Sequence, residues 1–287
     1  MSLDLTAVAR FMTAHARLLD RLRFDALTGD AEPRAVLDAL NGYRNPDGGY
    51  GRGLEPDLRA VESQPAAAFH AFEVLAELPG DIAAPDARTL ADWLTTVTCE
   101  DGGLPFALPV ADPAACAPFW VDVDPDVSSL QITAIVATHA HRVPALAGHP
   151  WLDRATRYCL REIDALGEAP HALVLSFAVR LLDQMGETDR IRKLGAFLPA
   201  DGLVPVAGGL PDETLHPLDF APLPGRPARE LFAQTVIDAD LDRLAAGRQD
   251  DGGWVTDFAS YSPAAALDWR GYTTVAAVGL LRANGRA

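Results

Sequence analysis

The sequence has few sulfur-containing residues and no long hydrophobic run. Its three cysteines, Cys99, Cys116 and Cys159, lack the close spacing of a zinc or redox site, which indicates small buried side chains. No apolar stretch approaches the ~20 residues that a membrane-spanning helix requires, so we expect no transmembrane segment. Residues 1–17 mix charges into their apolar pattern and show no cleavable leader, and we therefore expect a cytoplasmic protein.

Basic residues are scarce as well. The chain has 24 Lys and Arg against 40 Asp and Glu, which gives a formal net charge of -16. Such a surface repels polyanions, so we expect no nucleic-acid partner, and a solvated acidic surface accounts for the charge by itself. With 287 residues, 49% of them apolar, the chain can bury a large core, and we expect one domain over residues 1–287.

Several functional motifs are also missing. The sequence contains no phosphate-binding loop, nucleophile elbow or dinucleotide fingerprint. His139 and His141 lack a third zinc ligand at a suitable spacing. The three aspartates of segment 238–242 would point in different directions on a helix, so we interpret them as solvated surface. We therefore expect neither a metal nor a cofactor.

What the sequence does contain is a recurring turn. Asp-Gly-Gly occurs at Asp47, Asp101 and Asp251, and a degenerate copy follows Asp201. These positions fit a period of about fifty residues with one copy missing around Gly148. The first glycine permits positive φ, and the aspartate can accept a bond from the amide two residues on. Each turn is therefore expected to end a helix and to pack against the next helix pair.

Two kinds of helix are predicted between the turns. Amphipathic helices, suited to an outer ring, are expected at 33–44, 86–97 and 151–166. Helices that are apolar nearly all round, suited to an enclosed inner ring, are expected at 65–78, 127–141, 170–182 and 271–281. Two further helices are expected at 3–27 and 228–246, and two irregular rim or lid segments at 104–126 and 203–227.

The turn segments resemble a known repeat. Residues 249–254, Gln-Asp-Asp-Gly-Gly-Trp, resemble the QW-type repeat of the terpenoid cyclase, prenyltransferase and squalene oxidase family, and residues 45–50 are similar. The resemblance covers most of the chain as helix pairs. It implies an all-α (α/α)6 toroid, a closed ring of about six helix hairpins around a central cavity. Toroids of this type serve many different reactions, so the resemblance favours a fold more than a chemistry.

The family resemblance also implies a proton donor. Class II cyclases carry Asp-x-Asp-Asp before an inner helix, and the central aspartate donates a proton to an alkene or epoxide. Here Asp126 takes the central place, with Asp124 as its electrostatic partner and Asp122 nearby, while Val127 replaces the last aspartate. Crowded carboxylates favour one retained proton, but helix capping explains the same residues equally well.

Polar and aromatic residues near the starts of the other inner helices are candidates for substrate binding. If the ring closes, these side chains would converge on one mouth. For each histidine, a satisfied core position is the competing interpretation. The candidates are Glu55, Asp57, His70, Trp120, His171, Trp269, Arg270 and Tyr272.

The sequence therefore predicts a terpenoid-cyclase-like isomerase or lyase that acts on an isoprenoid or another small apolar ligand in a central cavity. Two alternatives remain open. One is a non-catalytic toroidal binding or scaffold protein. The other is a carbohydrate-active toroid that uses two carboxylates as acid and base. An apolar chamber around Asp126 would favour the cyclase, whereas an open acidic and aromatic site would favour the carbohydrate enzyme.

Overall fold

The computed structural model describes residues 3–286, and this part of the chain is mostly helical. Strands β1 (Val204–Pro205) and β2 (Thr214–Leu215) form a small antiparallel pair. The predicted all-α class is thus confirmed. The α-helices are α1 (Leu5–His15), α2 (Leu18–Thr28), α3 (Pro33–Asn41), α4 (Pro65–Glu77), α5 (Gly80–Val97), α6 (Leu130–Ala140), α7 (Pro150–Ala165), α8 (Ala172–Met185), α9 (Thr188–Gly195), α10 (Pro217–Phe220), α11 (Gln234–Ala246) and α12 (Pro263–Ala283).

The chain divides into two compact units. Unit 1 comprises Met1–Ala31 and Glu168–Ala287, and unit 2 comprises Glu32–Gly167. Whether the chain forms the single domain expected from its sequence stays a prediction. Within the described residues, no helix is both long enough and apolar enough to cross a bilayer.

Unit 2 is built around α4 and α6, which pack against each other. In α6, all nine residues from Ile132 to Ala140 are buried, as its uniformly apolar sequence predicts. The helices α5 and α7 are amphipathic and bury one face, which includes Trp93 in α5 and Trp151 in α7. The distinction between enclosed and amphipathic helices is therefore visible within this unit.

The N-terminal helix is broken where the sequence predicts continuity. We expected one helix over 3–27, but Ala16 and Arg17 are extended and separate α1 from α2. The break lies directly before a buried ion pair, in which Arg17 Nε is 2.6 Å from Asp20 Oδ2. Periodicity alone could not show this, because the segment contains no Gly or Pro to mark the break.

Other predicted boundaries were also inexact. The segment 203–227 contains β1, β2 and α10 rather than only irregular chain, and α9 was not predicted. The helix expected from residue 228 begins at Gln234, because Pro227–Leu231 forms a separate 3-10 helix. The helix expected from residue 86 begins at Gly80 and accommodates Pro85 near its start.

The predicted turn chemistry is confirmed at each copy. Oδ1 of Asp47, Asp101 and Asp251 accepts a bond from the backbone N–H two residues later, at 2.9, 3.0 and 3.1 Å. The glycine after each aspartate has φ of 93°, 100° and 100° respectively. At the degenerate copy, Asp201 accepts from the N–H of Leu203 at 3.1 Å. Local turn chemistry therefore determines these corners.

The turn aspartates also bind residues at or within the following apolar helices. Asp47 accepts a hydrogen bond from the hydroxyl of Ser63 at 2.8 Å, just before α4. Asp101 accepts one from Ser128 at 2.5 Å, shortly before α6. Arg270 of α12 donates to both carboxylate oxygens of Asp251 at 2.8 Å. Each of these turns is thus tied to the helix that comes after it.

Candidate functional site

The predicted acidic motif lies at the surface of unit 2. Asp122, Asp124 and Asp126 are all exposed. Asp124 Oδ1 accepts the N–H of Asp126 at 2.9 Å, and α6 is capped by Ser129, whose hydroxyl accepts the N–H of Ile132 at 3.3 Å. The motif is therefore a solvated turn, and none of its three carboxylates is buried.

Three predicted binding residues do come together in unit 2. The buried imidazole Nε2 of His70 lies 2.9 Å from Glu55 Oε2, and Glu55 Oε1 accepts the N–H of Asp57 at 3.1 Å. Glu73 lies on the other side of the ring, with Oε2 3.9 Å from Nδ1. Because these groups fasten the loop before α4 onto that helix and are shielded from solvent, their arrangement is that of a buried charge network.

The charge state of His70 follows from its surroundings. Burial by itself lowers the pKa of His70, but hydrogen bonds and negative charge from Glu55 and Glu73 outweigh this effect, so its pKa is raised. The imidazolium form is therefore favoured between the two carboxylates. This explains how unit 2 accommodates several charged groups in its interior.

Two other predicted residues have structural contacts. Trp120 is buried and stacks on Phe106 with ring centroids 4.7 Å apart. His171 is exposed at the start of α8, where its Nδ1 accepts the N–H of Leu173 at 3.3 Å and its Nε2 lies 2.9 Å from the carbonyl oxygen of Ala207. Trp120 therefore supports the 104–126 segment, and His171 caps a helix.

A group of titratable residues that the sequence interpretation missed lies in unit 1. We call it the Asp219 cluster, and it consists of His216, Asp219, Asp240, Arg243 and Asp257. Asp219 lies on α10, and its Oδ2 accepts the N–H of His216 at 2.7 Å. Burial of Leu218 and Phe220 holds this four-residue helix in place, while Asp219 itself is exposed. The hydrophobic residues of α10 thus anchor a carboxyl group that water can reach.

Asp240 provides a fixed negative charge in this cluster. Its side chain is only 3% exposed, its Oδ2 accepts the N–H of Leu218 at 2.9 Å, and its Oδ1 accepts Nε–H of Arg243 at 2.7 Å. The solvated-surface interpretation of segment 238–242 was therefore wrong for Asp240. A signal was present, because Asp240 shares the buried face of α11 with Ile237 and Leu241 at helical spacing.

The outer aspartates of that segment do lie at the surface. Arg286 pairs with both of them, with distances of 3.2 Å to Asp238 and 3.0 Å to Asp242. The side chain of Asp242 is 70% exposed. The three aspartates therefore do not share one face, as predicted, but only two of them are solvated.

The surroundings of Asp219 raise its pKa to about 6. The dense protein around the carboxyl group, which displaces part of its hydration although the residue reaches solvent, is the largest cause. The negative charges of Asp240 and Asp257 act in the same direction, whereas the N–H of His216 and the charge of Arg243 act in the opposite one. Burial and Arg243 lower the pKa of His216. Asp219 can therefore gain or lose a proton near neutral pH.

Aromatic side chains follow the last carboxylate of the cluster. Asp257 precedes Phe258, whose ring meets the edge of Trp269 at a centroid distance of 5.0 Å, and Trp269 meets Tyr272 at 5.5 Å. All three rings are half-buried. Two predicted binding residues, Trp269 and Tyr272, are thus brought together, while Arg270 is bound to the turn aspartate as described above.

Within residues 3–286, no three His, Cys, Asp or Glu side chains converge closely enough to hold a metal ion. What the Asp219 cluster offers is a set of hydrogen-bonding and proton-transfer groups.

Comparison with known proteins places the chain by fold. No family model and no curated protein matches the sequence. The structure is similar to the crystal structure of a protein from Actinoplanes, with a TM-score of 0.57 and 20% sequence identity over 98% of this chain and 89% of that chain. At that identity the likeness shows a shared fold.

Proposed function

We propose that the protein is an acid–base enzyme of the carbohydrate-active class, with Asp219 as the proton donor to a hydroxyl-rich substrate. The observation that carries this proposal is the position of Asp219, which is open to water beside Asp240 and Asp257 and has a pKa near 6. Enzymes that cleave glycosidic bonds commonly use a carboxylic acid with a raised pKa to protonate the leaving oxygen.

The other groups of the cluster have complementary roles in this proposal. Asp257 is exposed and supplies the second carboxylate, which acts as base or nucleophile. The half-buried rings of Phe258, Trp269 and Tyr272 provide faces and edges against which a sugar ring packs. Asp240 is a positioning residue, because its fixed charge acts on Asp219 rather than on the substrate.

We further propose that the helix pairs belong to one α/α toroid, as the resemblance to the QW-type repeat implies. The support comes from the turns at Asp47, Asp101 and Asp251, which share one geometry and are each tied to the following apolar helix. Toroids of this kind are used by carbohydrate-active enzymes as well as by cyclases, so this fold suits the proposed reaction.

The same resemblance implies a different reaction, in which Asp126 protonates an isoprenoid. That proposal needs an apolar chamber around the acid, because a strong proton donor must be kept away from water. Asp126 and both neighbouring aspartates are exposed. Proton donation by Asp219 therefore has the better support, and the two proposals differ in the residue on which activity should depend.

The test compares wild type with Asp219→Asn and Asp126→Asn on a panel of aryl glycosides and polysaccharides, and in parallel on prenyl diphosphates and linear polyprenes. We expect the wild type to turn over glycosides. Asp219→Asn should lower this turnover by about 10²- to 10⁴-fold, the usual contribution of a general acid, and Asp126→Asn should leave it unchanged. Asparagine still accepts the His216 N–H, so the fold of α10 is preserved. Turnover of polyprenes that depends on Asp126 would overturn the proposal.

A further inference from the structure

A concave site in unit 1 is lined by two arginines and one glutamate. We call it the Arg229 pocket. Its volume is about 370 Å³, and its lining residues are Thr188, Gly225, Arg226, Pro227, Arg229 and Glu230. Two guanidinium groups in one cavity are notable in a chain with a net charge of -16, because they create a local preference for anions against the general charge.

One of the two arginines is already neutralised. Arg226 Nε lies 3.3 Å from Oδ2 of Asp183, and a second nitrogen of the same guanidinium binds the backbone carbonyl of Asp183. Oδ1 of Asp183 accepts the N–H of Ala228 at 2.7 Å. Asp183 therefore compensates Arg226 and also fixes the loop that forms one wall of the pocket.

Arg229 differs from Arg226, because its direct hydrogen-bond acceptors are neutral and the negative charges of Asp183 and Asp238 act on it only through space. Its guanidinium donates to the carbonyl oxygen of Pro222 at 2.8 Å and to Asn284 Oδ1 at 2.6 Å, both of which are neutral. Its Nε is buried and has no hydrogen-bond partner among residues 3–286. Burial lowers the pKa of Arg229 by more than the charges of Asp183 and Asp238 raise it, so a bound anion would further stabilise the guanidinium group.

We propose that the Arg229 pocket binds a small organic phosphate, with the phosphate group against Arg229 and the hydroxyl of Thr188. Guanidinium groups match phosphate oxygens in geometry and charge. Thr188 begins α9, and the amides at that helix start also favour an anion. The cavity could hold roughly twelve waters at about 30 Å³ each, which leaves room for a short organic group beside the phosphate.

The charge around the pocket also limits the ligand. Glu230 is exposed among the lining residues, and the whole chain is acidic, so a ligand with several phosphates would be repelled. A single phosphate monoester carries about -1.5 to -2 charges at neutral pH, of which Arg229 balances one, so it adds less negative charge than a ligand with several phosphates. This inference concerns different residues from the Asp219 cluster and does not depend on the proposed enzyme activity.

Calorimetric titration at constant ionic strength tests the proposal with three probes, glycerol 3-phosphate, inorganic phosphate and uncharged glycerol. We expect saturable binding of glycerol 3-phosphate, weaker binding of inorganic phosphate and none of glycerol. Arg229→Gln should weaken phosphate binding at least 10-fold. The matched control is Arg192→Gln on α9, because Arg192 is 68% exposed and paired with Asp189, and this variant should bind as wild type does.

Thermal melting with and without glycerol 3-phosphate shows whether Arg229→Gln is folded. If that variant fails to fold, Thr188→Val provides the second test, and its phosphate affinity should fall as well. The proposal is overturned if folded wild type does not bind glycerol 3-phosphate. It is equally overturned if glycerol 3-phosphate and inorganic phosphate bind with the same affinity, or if the binding is unchanged in every folded variant of the pocket.

Discussion

Asp219 carries the proposed chemistry because groups on three different elements set its proton affinity. The N–H of His216 stabilises the carboxylate form, whereas Asp240 and Asp257 repel it. Asp240 cannot turn away, since the Leu218 amide and Arg243 hold both of its oxygens. The raised pKa of Asp219 therefore follows mainly from loss of hydration around the carboxyl group, and the packing of α10 against α11 adds to it.

The activity should depend on pH through this group. Because only the protonated form donates, kcat/KM on the glycoside substrate should fall as pH rises through about 6. Asp240→Asn removes one repelling charge, so the descending limb of the pH profile should move to lower pH. The matched control is Asp238→Asn. Asp238 lies on the same helix as Asp240, but its carboxylate pairs with Arg286. If Asp240→Asn does not shift the descending limb of the pH profile, Asp219 is not the titrating acid.

His70 should matter for stability rather than for catalysis. His70→Ala leaves Glu55 in the interior without its partner, and removing one member of a buried charged pair typically costs about 3–5 kcal/mol. Urea unfolding monitored by tryptophan fluorescence measures the loss. The control His149→Ala breaks a contact with Asp92, whose side chain is 76% exposed, and removes the N-cap bond from the Trp151 N–H. It should cost about 1–2 kcal/mol.

The pH dependence of that stability has a definite sign. The pKa of His70 is raised in the folded protein, so the stabilisation is fully present below the unfolded value of about 6.5 and is lost as pH rises through the folded pKa. Wild type should therefore lose this contribution on the alkaline side, and His70→Ala should not. An equal pH dependence in both proteins would exclude the imidazolium form.

At the scale of secondary-structure elements, the second glycine of each turn lies against an aromatic ring. A Cβ atom at Gly49 would lie 2.6 Å from the Trp93 ring, one at Gly103 2.7 Å from Tyr158, and one at Gly253 2.6 Å from Phe11. Distances this short cannot be accepted without displacement. The turn therefore fixes how closely an amphipathic helix approaches it.

Gly49→Ala should consequently destabilise the protein by about 1–3 kcal/mol, the usual effect of overpacking. Gly80→Ala is the matched control in the same unit, because nothing lies within 4 Å of its added methyl group. Its effect should be neutral or slightly stabilising. Chemical denaturation of both variants decides between these outcomes, and equal stabilities would show that the turn tolerates a side chain.

The features that could be predicted from the sequence are those whose stabilising interactions lie within a short segment of the chain. The turns at Asp47, Asp101 and Asp251 were found because an aspartate and two glycines specify the corner within a few residues. The enclosed helix α6 was found because its whole circumference is apolar. In both cases the interaction that determines the structure lies within the segment itself.

The candidate site could not be predicted in the same way. Asp219 lies on a four-residue helix that is held by the burial of Phe220. The hydroxyl of Ser176 also donates a hydrogen bond to the backbone carbonyl oxygen of Asp219, and neither contact is local. The break between α1 and α2 was missed for another reason, because the pair of Arg17 and Asp20 is local but no Gly or Pro marks the break. Resemblance to a known motif directed attention to Asp126, which the structure places in solvent.

At the scale of the whole molecule, acidic groups serve two different purposes. In unit 2, Glu55 and Glu73 are covered and compensated by a histidine, which makes them part of the core. In unit 1, the Asp219 cluster is accessible to water and retains an excess of negative charge. Together with the net charge of -16, this favours a neutral, hydroxyl-rich substrate over a polyanionic one.

The proton affinity of Asp219 is the most direct test of this account. Carboxyl-carbon NMR of aspartate-labelled protein, with the resonance assigned through Asp219→Asn, would follow its titration in the absence of any substrate. The account predicts a midpoint at about 6. A midpoint near the ordinary aspartate value of about 3.9 would contradict it, because the carboxyl group would then hold no proton at neutral pH.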